Sequence, residues 1–217
     1  MDVGDDRPQE AIEHTFENRG PVEQLALALE TPAVPLTIAD DDSGRIVYYP
    51  SVATRQDADR WFALLREDME WRRERRPMYD RVVDVPRLVA HYGIGEALPP
   101  PIAAAKRLVE ELLDERFNAV GLNLYRDGLD SVAMHNDHTE GLEHHSPIAI
   151  LSLGATRVFR VQTKEQPRRT ASVALEPGSV LLMAGASQDC WEHGVPKTRA
   201  PVGERISLAF RRCVPKT

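Results

Sequence analysis

Two hydrophobic rhythms divide the chain. In its first half apolar residues recur every three or four positions, the spacing of one helix face. Over 54–71, TRQDADRWFALLREDMEW, the residues Trp61, Leu64, Leu65 and Met69 form one stripe, and Thr54 with Asp57 three residues later is a capping start. A helix is predicted there. The Pro cluster LPPP at 98–101 precedes a second amphipathic helix, IAAAKRLVEELLDERF, at 102–117. PVEQLALALE at 21–30 reads as a short helix, RIVYYP at 45–50 as a strand, and residues 1–20 as a mobile acidic tail.

After 117 the rhythm changes to short strands: AVGLNLY, SVAMHND, IAILSLG, RVFRVQT, ASVALE, SVLLMAG and ERISLAFRR, separated by Gly, Pro and Asp turn signals. IAILSLG is apolar on both faces and is predicted to be central, whereas ERISLAFR alternates. Helices followed by a block of strands give an α+β, mainly β fold, a double-sheet barrel of jelly-roll type with N-terminal helices packed outside. Residues 21–217 are expected to form one domain, a helical and substrate-lid region over about 21–117 and a jelly-roll core over about 118–213.

Composition changes this picture little. The content, 42% hydrophobic and 28% charged, is that of a soluble globular protein. No apolar run approaches a membrane span, and MDVGDDRPQE is acidic where a signal peptide would be basic and then apolar, so no membrane partner and a cytoplasmic monomer are expected. Cys190 and Cys213 lack metal or disulfide spacing and read as ordinary reduced thiols.

Charge changes it more. The net charge of −7 argues against a polyanionic partner, but its distribution reverses the argument. From residue 155 onward eleven Lys or Arg face five acids, and WRRERR at 71–76 adds Arg72, Arg73, Arg75 and Arg76. A polyanion therefore has a basic surface to bind on an acidic protein.

The candidate chemistry begins at His135 and Asp137. Residues two apart on a strand share a face, so this imidazole and carboxylate aim at one point. His193, in QDCWEHGVP, is the best third donor, expected where a loop re-enters the barrel beside Trp191. Two His and one carboxylate leave open positions on a metal, the arrangement of non-haem Fe(II) oxygenases. On the last strand Arg205, Ser207, Ala209 and Arg211 share one face. Two guanidinium groups separated by small residues make a candidate dicarboxylate clamp. Asn123 and Tyr125 likewise share a face and offer an amide and a phenol.

These pieces keep a family's order and approximate spacing: VPRL then YG, FNAVGLNLYRDGLDS, HND, SPIAILSLGATRVFRV, PGSVLLMAGASQDCWEHGVPK and RISLAFR. From about residue 85 to 212 the chain resembles the AlkB family of Fe(II)- and 2-oxoglutarate-dependent dioxygenases, particularly its nucleic-acid demethylases. The resemblance implies a double-stranded β-helix core, Fe(II) held by His135, Asp137 and His193, and O₂ and 2-oxoglutarate as cosubstrates. It also implies that Arg205 and Tyr125 bind the distal carboxylate of 2-oxoglutarate, and Arg211 and Asn123 the one beside the keto group.

By the same resemblance the reaction is oxidative removal of N-methyl groups from bases of alkylated DNA or RNA, as formaldehyde, a repair chemistry. The four arginines of the 71–76 knot are then candidate phosphate contacts. The chain departs from the demethylases in two places. YGIGEALPPP has no aromatic after Tyr92, and Thr139, followed by Glu140, stands where an acid usually lies two residues past the metal-binding Asp. The alternative is a hydroxylase of a protein, lipid or small molecule on the same core.

Overall fold

The apolar run at 148–154 becomes strand β7 (Ile148–Gly154), buried at six of its seven positions, and the main sheet is built outward from it. It is central because both faces are covered. In the computed structural model, which describes residues 34–78, 81–137 and 141–215 (backbone only for 76–78 and 81–84), twelve strands form two sheets. The larger runs β1 (Leu36–Asp41), β2 (Gly44–Tyr49), β10 (Val180–Ala184), β7, β12 (Arg205–Arg211), β5 (Ala119–Tyr125), β4 (Arg81–Tyr92), β3 (Arg72–Met78). The smaller runs β6 (Val132–His135), β11 (Trp191–Val195), β8 (Arg157–Thr163), β9 (Thr170–Leu175), and all pairings are antiparallel. This is the expected mainly β, jelly-roll architecture.

Alternation along β12 separates two environments. Ile206, Leu208 and Phe210 join a core with helices α1 (Arg55–Asp68) and α2 (Pro100–Leu113), while Ala209 joins a second core between the sheets. β5 does the same: Leu122 and Leu124 face the helices, and Tyr125 faces the second sheet. One sheet face thus carries the fold and the other is free to carry chemistry.

Helix α1 starts as the sequence predicts, whereas α2 starts two residues early, inside the Pro cluster. The Thr54 side chain accepts from the Asp57 N–H at 3.1 Å at the head of α1. The buried face is Ala58, Trp61 and Leu65, spaced i, i+3, i+7. Leu64, predicted to lie in the stripe, is instead 42% exposed, because partly buried Phe62 draws the packed face to its other side. α2 begins at Pro100, where a missing N–H costs nothing, and ends at Leu113, four residues before the predicted end. There Asp114 turns left-handed, with φ 52°.

Two expectations need correction. The segment expected to be helical as far as 117 contains the β3–β4 hairpin, and β4 pairs with β5 from Leu88↔Leu124 to Tyr92↔Val120. The strand expected at 45–50 is β2, which together with β1 extends the other edge through β10. His193 lies on strand β11 rather than in a loop. The predicted tail and the helix at 21–30 lie outside the described residues. Among those described, no helix is long and apolar enough to cross a membrane, and both cysteines are free thiols.

Candidate active site

Between the sheets lies a cleft of about 1490 Å³, walled by the inward positions of β4, β5, β6, β11 and β12. His135, at the end of β6, sits directly across from His193 on β11, and their ring centroids are 4.4 Å apart. Gly194 makes this approach possible, because a Cβ there would lie 2.8 Å from the Val132 carbonyl oxygen.

Asp137 joins them differently from the expectation. β6 stops at His135, so a shared strand face does not aim the pair. Three hydrogen bonds to Gln188 and Arg211 on neighbouring elements position Asp137 instead. Its N–H donates to Gln188 Oε1 at 2.9 Å, and its Oδ2 accepts from Arg211 Nη2 at 2.6 Å and Nε at 3.0 Å. That leaves Oδ1 facing His135 Nε2 at 3.8 Å and His193 Nε2 at 3.9 Å.

The protonation states suit a metal. His135 Nδ1 lies 2.9 Å from the Ala133 carbonyl, which can only accept, so Nδ1 carries a proton and Nε2 is the nitrogen that faces Asp137. Burial against Phe159, stacked 5.4 Å away, pushes the His193 pKa down to about 4, keeping that imidazole neutral. Burial alone would raise the Asp137 pKa. The Arg211 guanidinium, through its charge and its hydrogen bonds, opposes that rise, and the carboxyl is held below its ordinary value.

Deeper in the cleft Arg205 is 1% exposed. Its Nη2 donates to Ser152 Oγ at 2.8 Å, its guanidinium lies 5.1 Å from the Tyr125 ring centroid, and its buried Nε has no partner. Burial lowers its pKa. A second cation, Arg157, lies 5.6 Å from the same ring and spends its N–H groups on the carbonyls of Asp127, Asp130 and Pro196, each at 2.9 Å. Among the described residues no carboxylate pairs with Arg205, so a buried charge stands uncompensated. Such a charge is costly unless an anion completes it.

The structure therefore gathers His135, Asp137, His193, Asn123, Tyr125, Arg205 and Arg211 around one cleft. Asn123 accepts from Arg87 Nε at 2.6 Å and donates to Ser207 Oγ at 3.4 Å. The basic knot meets the cleft wall through Arg72; Arg73 and Arg75 are exposed on the same strand. Thr139 and Glu140 lie outside the described residues, as does the Arg76 side chain. Sequence reasoning missed Arg87, Ser152 and Gln188. Arg87 carried a readable signal, since Arg87, Val89 and His91 alternate with Leu88, Ala90 and Tyr92, which pack toward the helices.

Residues 45–211 match the 2OG-Fe(II) oxygenase superfamily. The chain is 30% identical over 200 residues to human alpha-ketoglutarate-dependent dioxygenase alkB homolog 3, covering 83% of this chain and 70% of that protein. It belongs to the AlkB family. It is also 30% identical over 190 residues to mouse DNA oxidative demethylase ALKBH2, covering 77% of this chain and 80% of that one. The solved structure of OsALKBH1 shares the fold, with a TM-score of 0.57 at 14% identity, over 82% of this chain and 100% of the other. As an AlkB-family dioxygenase the protein uses Fe(II), 2-oxoglutarate and O₂. The donors present fit both larger groups: two imidazoles with a carboxylate suit Fe(II), and the unpartnered Arg205 Nε suits a carboxylate.

Proposed function

We propose that this AlkB-family protein is an oxidative demethylase of N-alkylated bases in DNA or RNA, with Fe(II) held by His135, Asp137 and His193. The observation that carries the reading is this two-histidine, one-carboxylate set beside a buried, unpaired guanidinium in a cleft whose wall includes Arg72 of the basic hairpin. Its similarity to a relative named as a DNA oxidative demethylase supports the substrate class.

When bound together, Fe(II), O₂ and 2-oxoglutarate supply an oxidant that hydroxylates a nearby C–H bond, with succinate and CO₂ as the other products. A hydroxymethyl group on a base nitrogen then leaves as formaldehyde. In this assignment Arg205, oriented by Ser152, holds the distal carboxylate of 2-oxoglutarate with Tyr125. Arg211 holds Asp137 Oδ2 and leaves Oδ1 turned to His135 and His193, the set that would hold the metal, and with Asn123 it would hold the carboxylate beside the keto group. The cleft has room for a base as well as the cosubstrate, and a base reaches it from a single strand or by leaving the duplex stack.

Succinate release with Fe(II) and O₂ in excess tests the proposal. A single-stranded oligonucleotide carrying N-methylated bases should raise turnover severalfold over its unmethylated counterpart. Equal, low turnover with both, together with stimulation by a protein or small molecule, would make the chain a hydroxylase of that substrate instead.

A further inference from the structure

A second cluster of metal-binding side chains lies on the surface: His144, His145 and Asp189. Their ligand atoms all fall within 4.8 Å of one another, and all three residues are exposed. None belongs to the cleft. Two local features bring them together. The turn after the Leu142↔Cys213 bridge closes with Ser146 N–H donating to the Glu143 carbonyl at 3.1 Å, and within it His145 takes φ 55°. That left-handed step breaks the alternation that would send consecutive side chains apart. The two imidazoles stack instead, 3.8 Å between centroids and 29° between planes. The one-turn helix α3 (Ser187–Cys190) then presents Asp189, whose Oδ2 lies 3.0 Å from His145 Nε2.

We infer that His144, His145 and Asp189 form a second, solvent-facing site for a divalent transition metal of the zinc or copper class. Two imidazole nitrogens and one carboxylate oxygen are the donors such ions take, and calcium or magnesium would call for an oxygen shell instead. Bonds of about 2.0–2.2 Å bring tetrahedral ligand atoms to roughly 3.4 Å apart, so the cluster needs a modest closure of exposed side chains. Water fills the remaining positions. A bound ion would tie the 143–146 turn to α3. The residue before Asp189 is Gln188, which accepts from the Asp137 N–H at 2.9 Å, so the second site adjoins the support of the first. Asp189 and His145 also make a plain hydrogen bond without metal, and metal counting separates the two cases.

The experiment is equilibrium dialysis of untagged protein against micromolar Zn²⁺, with folding checked by circular dichroism. The unaltered chain should retain two equivalents, and the His135→Ala, His193→Ala variant, stripped of two cleft donors, should retain one. Adding His144→Ala and His145→Ala should abolish the remaining equivalent, and Asp189→Asn should weaken it by about tenfold or more. In the cleft-disabled variant Cu²⁺ should give an electron paramagnetic resonance spectrum with splitting from imidazole nitrogens, lost with the two surface histidines. The inference fails if the cleft-disabled variant retains no Zn²⁺, or if it retains the same amount with and without His144 and His145.

Discussion

At the scale of single residues, the site rests on charges placed where water cannot screen them. Arg205 is the clearest case, because its Nε is buried and unpaired while Ser152 holds only one of its nitrogens. A hydrogen bond to a charged group contributes about 1.5–3 kcal/mol, so Arg205→Ala should raise the 2-oxoglutarate requirement by roughly ten- to a hundredfold. Arg205→Lys should restore only part, since an ammonium cannot reproduce a planar fork. Steady-state kinetics checks this, and an unchanged requirement would remove the clamp. Asp137 gives a pH prediction. Arg211 is the main attraction opposing the rise that burial would cause in its pKa. In Arg211→Ala that opposition is lost, so Asp137 should take up its proton at higher pH. The acid limb of Fe(II) binding should therefore move upward in pH, measured by metal titration from pH 4 to 8, and an unmoved limb would show that Arg211 does not set the carboxylate.

At the scale of elements, the chemistry depends on how closely β6 and β11 approach. Gly194→Ala would place a Cβ 2.8 Å from the Val132 carbonyl and 3.1 Å from that of Ala133, the group that orients His135. The two strands must part, so Fe(II) affinity should fall by tenfold or more while circular dichroism still reports a β protein. Thr54→Ala is the contrasting case, a lost helix cap far along the chain from the donors. It should cost about 1 kcal/mol in a denaturant melt and leave Fe(II) binding intact. The same elements explain what the sequence could disclose. β5, β7 and β12 were legible because their apolar and polar positions report which face is covered. His193 was found but misplaced in a loop, because β11 contains a glycine and only five residues. The nearness of His135 and Asp137 was read correctly for the wrong reason. The long-range bonds from Gln188 and Arg211 leave no periodic trace. The β3–β4 hairpin was missed because its arginines hid a strand rhythm under a charge pattern.

At the scale of the whole molecule, an acidic chain brings a basic hairpin to the wall of its cleft. Arg72 and Arg73 are exposed on β3, so replacing both with Ala should weaken single-stranded oligonucleotide binding whatever its sequence. The salt dependence should flatten by roughly 0.7 per lost phosphate contact, with succinate formation in the absence of nucleic acid unchanged. Equal binding and an equal slope would make the hairpin ordinary solvated surface. The helices matter at this scale only as the covering of the outer sheet face, which leaves the inner face free for the donors. The central claim is that those donors hold the Fe(II) with which O₂ and 2-oxoglutarate oxidise an N-methyl group on a nucleic-acid base. Its most direct test is mass spectrometry of an oligonucleotide with one N-methylated base, incubated with the protein, Fe(II), 2-oxoglutarate and O₂. One methyl should be lost for each formaldehyde and each succinate formed, and none with His193→Ala. Methyl groups left intact while 2-oxoglutarate is consumed would contradict the account.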